Sequence, residues 1–290
     1  MIIDGKKLAK KLNKNSRQRI TQLRKQGIVP GIAVILVGND PASEIYTRNK
    51  HRLARKLGIN STMYRFPDNV DQKTIINKIK ELNLDNQVDG ILVQKPLPSQ
   101  LDGEQIINEI NPEKDIDGLH PLNLGRLFAG QTGNYPIACT PQGIMTILDQ
   151  YKVTLSGANV VIVGRSLLVG KPLLALLNNR NATVTFVGRH THDFSEVTNK
   201  ADILIVAAGV PGLITANNIK VGSVVIDVGI NRLKSGKLTG DVDFNGVAAK
   251  ASLITPVPGG VGPMTIATLM SQSVDLAYWH HIAKSKKLLA

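Results

Sequence analysis

The sequence predicts an α/β protein of two domains, and three observations carry that prediction. Short β-branched runs alternate with helix-length amphipathic segments along the chain. A glycine-rich turn joins one such run to a helix after Val163. The chain has 290 residues, 42% of them hydrophobic and 20% charged, which is more than one ordinary core supports and enough apolar material for two.

The first element is a helix beginning near Lys6. Its basic, acid-free stretch to Lys25 superficially resembles a transit peptide, but Leu8, Leu12, Ile20 and Leu23 fall on one face, as in an amphipathic helix with a solvated side. Strands are expected at residues 32–37, 91–93, 160–163, 184–187, 203–207 and 224–228, in mostly parallel sheets. Asp40-Pro41 reads as a capped helix start, and Gly58 closes that helix. Between residues 125 and 141 the periodicity lapses into Gly130, Gly133, Asn134, Pro136 and Pro141, the composition of an interdomain loop. The boundary is therefore expected there, with a last helix starting near Pro263 and packing back on the first domain.

Composition excludes several classes. No apolar run approaches the roughly 18 residues of a membrane span, and the N-terminus lacks the pattern of a secretory signal. The single cysteine, Cys139, cannot form an internal disulfide and reads as a buried small hydrophobe, so a cytoplasmic location is expected. His190 and His192, and the pair His280-His281, lack the spacing of metal ligands, and no metal is expected. The net charge of +13 asks for an anionic partner, but the basic residues are dispersed and aromatics are only 4% of the chain. That argues against nucleic acid and fits a phosphate-bearing cofactor or a polyanionic substrate.

Five stretches can carry chemistry. Gly164-Arg165-Ser166-Leu167-Leu168-Val169-Gly170-Lys171-Pro172 follows a strand and opens a helix, so its backbone can approach a pyrophosphate. Ser166 is a poor hydrolase nucleophile, because the elbow motif needs glycine where Leu168 stands. The second strand of this unit ends at Val187-Gly188-Arg189-His190, where an NAD enzyme usually places an acid. Arg189 and Arg165 can instead hold a 2′-phosphate, and their alternative is a solvated surface charge. In the first domain Tyr46 and Lys50 lie four residues apart on one helix face, either as a stacked aromatic beside an amine or as an exposed lysine over a half-buried ring. Gln94 ends a buried strand, either at a site or bonded only to backbone, and Asp115-Ile116-Asp117-Gly118 offers two carboxylates in a turn.

Together these stretches resemble the bifunctional methylenetetrahydrofolate dehydrogenase/cyclohydrolase family over nearly the whole chain. The resemblance rests on Val37-Gly38-Asn39-Asp40-Pro41-Ala42-Ser43 with Tyr46 and Lys50, on residues 89–98, 115–121 and 164–172, and on Cys139-Thr140-Pro141. It continues in Asp227-Val228-Gly229-Ile230-Asn231 and in residues 255–265. It implies a catalytic domain over 1–139 and 263–290, a Rossmann-type NADP domain over 140–262, a cleft between them, and a homodimer formed by the cofactor domains. It assigns Lys50 to catalysis, Gln94 to its support, Tyr46 to stacking on the folate and Asp117 to the pterin, with Asp115 left as a structural residue. Thr140, Gly164, Arg165, Ser166, Arg189 and Ile230 are implied on the cofactor side, and Gly262 and Pro263 near the folate. Lys95 and Arg189 depart from the family's common pattern. The implied reactions belong to one-carbon metabolism and purine biosynthesis, with polyglutamylated tetrahydrofolates as the implied substrates. A formyltetrahydrofolate synthetase domain is not expected at this length.

Overall fold

The structure is a computed structural model and describes residues 1–283. In chain order its first elements are α1 (Gly5–Arg24), β1 (Gly31–Val37), α2 (Pro41–Leu57), β2 (Asn60–Phe66), α3 (Gln72–Leu84), β3 (Gly90–Val93), α4 (Gly103–Asn108) and α5 (Pro121–Phe128). Then come α6 (Cys139–Gln150), β4 (Asn159–Val163), α7 (Gly170–Asn178), β5 (Thr183–Val187), α8 (Phe194–Asn199), β6 (Ile203–Val206) and β7 (Val224–Asp227). The chain continues through the short strands β8 (Asn231–Arg232) and β9 (Leu238–Thr239), then α9 (Phe244–Ala248), β10 (Leu253–Ile254) and α10 (Val261–Tyr278). Residues 284–290, part of the expected catalytic domain, lie outside the described residues. No described helix is long and apolar enough to cross a membrane.

The chain forms two compact units. The N-terminal unit comprises Lys11–Arg126, Thr132–Ile137 and the described chain from Leu269 onward. Its sheet is parallel in the order β2-β1-β3. β1 is apolar at every position because it is central and covered on both faces, and all seven of its residues are buried. Ile35, Ile75, Ile79, Ile91 and Ile106 form the core around it. The second half of α10 packs in this unit, where the Gln272 side-chain amide donates to the Ile116 and Ile137 carbonyls at 2.7 and 3.0 Å.

The C-terminal unit comprises Met1–Lys10, Leu127–Gln131 and Ala138–Thr268. Its five-stranded sheet is parallel throughout, in the order β10-β7-β6-β4-β5. From β4 the chain goes outward to β5 and then returns to β6 on the other side. The sheet therefore has a topological switch point at β4, where doubly wound folds keep their ligands. The first residues belong here because Ile3 N–H donates to the Ile254 carbonyl at 2.8 Å and Ile254 N–H to the Met1 carbonyl at 3.1 Å, extending the sheet past β10.

The structure corrects one expectation about local structure. Residues 125–141 are not one loop: α5 runs through Gly125 and α6 begins at Cys139. Gly125 faces solvent, and Pro141 sits in the first turn of α6, where its missing N–H would have had no intrahelical partner.

Candidate functional site

The expected site residues form two groups, one in each unit. In the N-terminal unit α2 sets the first group. The Asp40 side chain accepts from Ser43 N–H at 2.7 Å, Pro41 fills the first turn, and Gly58 adopts the left-handed conformation that ends the helix. That hydrogen bond holds the Asp40 carboxyl below its ordinary range. Lys50 follows Tyr46 by one turn, and its Nζ donates to Gln94 Oε1 at 3.1 Å. Gln94 is fixed at both ends, since its N–H donates to the Ile35 carbonyl at 2.9 Å and its side-chain Nε2 to the Lys95 carbonyl at 2.6 Å. With Nε2 so engaged, Oε1 is left to accept from the lysine. Tyr46 is 37% exposed, leaving ring surface open to a partner.

The two carboxylates of the Asp115-Ile116-Asp117 turn part in role. Asp115 is 2% exposed and accepts from His120 N–H at 2.8 Å and from Asn123 Nδ2 at 3.0 Å, a structural pattern. Burial pushes its carboxyl up, with these donors opposing. Asp117 is half-buried, and among the described residues its carboxylate has no hydrogen-bond donor. Desolvation pushes its carboxyl up, the Lys50 cation opposes most strongly, Asp115 adds to the rise, and Lys95 also opposes. Asp117 therefore stands in the field of two lysines. Lys95 is a half-buried member of this group whose electrostatic part the sequence pattern alone did not show.

In the C-terminal unit, β4 and β5 pair in register through Val163 and Val187, and Gly164 N–H donates to the Val187 carbonyl at 3.0 Å. Arg165 and Arg189 thus follow the carboxyl ends of adjacent strands by the same two residues. Both are exposed, and among the described residues neither guanidinium has a protein partner. Gly164 has φ +111°, and a Cβ there would meet the Ala207 carbonyl oxygen at 2.2 Å, so the turn admits only glycine. Ser166 Oγ accepts from Val169 N–H at 3.2 Å, which shapes the turn, and α7 begins at Gly170 without a side-chain cap. This tight turn leading into an open helix start suits a pyrophosphate. Thr140 Oγ1 lies 3.0 Å from Thr265 Oγ1. Ile230 is 46% exposed, and Gly262 lies beside it, a Cβ there meeting Ile230 Cδ1 at 3.5 Å. Pro263, partly exposed, is in the first turn of α10.

Sequence models of both domains of one enzyme family match the chain. The tetrahydrofolate dehydrogenase/cyclohydrolase catalytic domain matches residues 3–117, and the NAD(P)-binding domain of the same family matches residues 138–281. The chain belongs to the tetrahydrofolate dehydrogenase/cyclohydrolase family. It is 65% identical to the bifunctional protein FolD of Limosilactobacillus reuteri over 281 residues, 97% of this chain and 98% of the relative. Among solved structures it is similar to the bifunctional methylenetetrahydrofolate dehydrogenase/cyclohydrolase FolD of Campylobacter jejuni, with TM-score 0.94 and 44% identity over 96% of this chain and 98% of that one. It is also similar to the Trypanosoma brucei enzyme complexed with NADP and an inhibitor, with TM-score 0.92 and 34% identity over 100% and 99% of the two chains. The family resemblance drawn from the motifs and the two-domain α/β architecture both hold.

Proposed function

We propose that the chain oxidises 5,10-methylenetetrahydrofolate to 5,10-methenyltetrahydrofolate with NADP as hydride acceptor, and hydrolyses that product to 10-formyltetrahydrofolate. The observation that carries this reading is the Lys50 Nζ–Gln94 Oε1 contact of 3.1 Å, with the Lys50 charge acting on Asp117. Asp117 accepts hydrogen bonds from the amino and ring N–H groups of the pterin, and Tyr46 stacks on the aminobenzoyl ring. NADP supplies the chemistry of hydride acceptance. The protein's own task in that step is alignment, which needs no strong acid.

Loss of hydride leaves the methenyl product a cation. Lys50 Nζ, held by Gln94 Oε1, is placed to take up the proton of the attacking water. Water adds to the methenyl carbon and one of its protons passes to Lys50 Nζ. The hydroxyl of the adduct then loses its remaining proton as the carbon–oxygen double bond forms and the carbon–N5 bond breaks, N5 takes up one proton, and the formyl group is left on N10. Gln94 Oε1 holds Nζ in place throughout.

The open guanidinium groups of Arg165 and Arg189 support NADP over NAD, as does the NADP bound by the Trypanosoma brucei relative. Gly164, Ser166, Thr140 and Ile230 complete the proposed cofactor contacts, and Gly262 and Pro263 those near the folate. The charge of +13 suits polyglutamylated folates. A homodimer through the C-terminal units and a cytoplasmic location complete the reading. Its test is Lys50→Met, followed in both reactions. Cyclohydrolase turnover falls by about 10²–10⁴-fold while measurable dehydrogenase activity persists and methenyltetrahydrofolate accumulates. Hydrolysis at the parent rate would return Lys50 to a surface role.

A further inference from the structure

Two buried carboxylates in the C-terminal unit take no part in the chemistry above. Asp227 ends β7 and is 3% exposed, while Asp241 follows β9 and is 0% exposed. Asp227 Oδ1 accepts from the N–H groups of Gly229 and Asp241, each at 3.0 Å, and its Oδ2 from Val242 N–H at 3.0 Å. Asp241 Oδ2 accepts from Ala208 and Gly209 N–H at 2.7 and 2.9 Å, and its Oδ1 from Asn231 Nδ2 at 2.8 Å. Among the described residues no cation bonds to either carboxylate, and amide dipoles offset the cost of burying them side by side. The backbone is shaped around the pair. A Cβ on Gly229 would stand 2.3 Å from the Asp241 carboxyl, and one on Gly240 would stand 1.8 Å from Asp227 Oδ2.

The groups held by this pair lie in three segments: Ala208 and Gly209 after β6, Gly229 and Asn231 after β7, and Asp241 and Val242 after β9. The loop after β6 exposes Ala208, Gly209 and Val210, and the segment after β7 exposes Ile230. The loop after β6 also abuts the glycine-rich turn, since the Ala207 carbonyl oxygen is the atom that excludes a side chain at Gly164. Its backbone is fixed inward at Asp241, while the segment after β7 is fixed by Gly229 N–H on Asp227 and by the Asn231 side chain on Asp241, so that Val210 and Ile230 are left exposed at the strand ends beside the switch point.

We propose that Asp241 is a positioning residue for the dinucleotide: it fixes the loops after β6 and β7 in the shape that receives the cofactor, and Asp227 holds Asp241 in place. This rests on the reading of the C-terminal unit as the cofactor unit. An exposed loop without such an anchor samples many conformations and binds with the entropic penalty of ordering it. Three donors converge on Asp241, and a carboxylate has acceptor sites for all of them. An amide has one acceptor oxygen and meets them only if the Asn231 amide turns over.

The test compares Asp241→Ala and Asp241→Asn with the parent protein in three readouts: NADP Michaelis constant and turnover, cofactor-free hydrolysis of methenyltetrahydrofolate, and amide hydrogen exchange. Asp241→Ala raises the NADP Michaelis constant by more than about tenfold, and Asp241→Asn raises it by about three- to tenfold. Dehydrogenase turnover at saturating NADP changes less than threefold in both, and hydrolysis stays near the parent rate. Exchange at Ala208 and Gly209, the two amides bonded to Asp241, accelerates in the order parent, Asn, Ala. If Asp241→Ala does not fold, Asp241→Asn alone decides. An unchanged NADP Michaelis constant, or equal losses for NADP and folate, would overturn the proposal. If the parent itself fails to use NADP, the proposed activity has failed, and unaltered exchange at these two amides would separately sink the positioning role.

Discussion

At Asp117, burial disfavours the charge of a carboxyl that two nearby amines favour. Desolvation raises the Asp117 carboxyl, and the Lys50 and Lys95 cations pull it back. Under the proposed assignment a pterin meets a partly desolvated carboxylate, whose hydrogen bonds are stronger than those of an amide. Asp117→Asn is expected to raise the folate Michaelis constant by about 10- to 100-fold, the value of one charge-assisted hydrogen bond, and to leave NADP binding unchanged. Equal folate kinetics in parent and variant would make Asp117 a turn residue. The arginines present the complementary case of cations without a protein partner among the described residues. Replacing Arg165 and Arg189 together by alanine should raise the NADP Michaelis constant at least about tenfold while that for NAD moves little. Equal effects on both cofactors would remove the 2′-phosphate assignment.

On the scale of elements, the candidate residues of the N-terminal unit depend on how α2 begins, and the buried carboxylate pair of the C-terminal unit on how β7 ends. The Asp40 cap fixes the start of the helix that carries Tyr46 and Lys50. Asp40→Ala should lower the thermal midpoint by about 2–4 °C, the usual consequence of losing a helix cap in a chain of this size, and the midpoint in a melting curve reads it directly. At β7, burial pushes the Asp227 carboxyl up to about 6 from 3.8, against the three N–H donors that lower it and with the Asp241 charge adding to the rise. The folded state thus binds a proton more tightly than the unfolded one. Ionised Asp227 weakens the fold above pH 6, and the penalty is relieved as pH falls through about 6 towards 3.8, by about 3 kcal/mol at most. Lowering the pH from 7 to 5 should therefore raise the midpoint of the parent relative to that of Asp227→Asn. A constant difference between the two proteins across that range would show that Asp227 does not titrate there.

For the whole molecule, the sequence was legible wherever one physical cause dominated. β1, β4, β6 and β7 stood out because buried parallel strands are continuous apolar runs, β5 because Val184, Phe186 and Val187 are β-formers on an edge strand, and α2 because its cap and its closing glycine are local signals. β2 was not read as a strand: at the edge of its sheet it alternates exposed and half-buried residues, and Asn60-Ser61-Thr62 supplies no apolar run. The ends of α5 and α6 were hidden by Gly125 and Pro141, residues that break helices in general but are tolerated at these positions. Lys50 and Gln94 were singled out from motif and strand-end position, but their contact joins residues 44 apart and needs the fold. Asp227 stands in a motif legible in the sequence, but its pairing with Asp241 is not legible there, because most of their donors are backbone N–H groups of segments distant in sequence, which no side-chain pattern announces. The direct test of the whole account is to add 5,10-methylenetetrahydrofolate to the purified protein with NADP or NAD in turn, following reduced cofactor and 10-formyltetrahydrofolate together. The account predicts reduced NADP and formyl product in equal amounts, with a markedly lower kcat/KM for NAD. No cofactor reduction with either nucleotide, or reduction with methenyltetrahydrofolate as the final product, would contradict it.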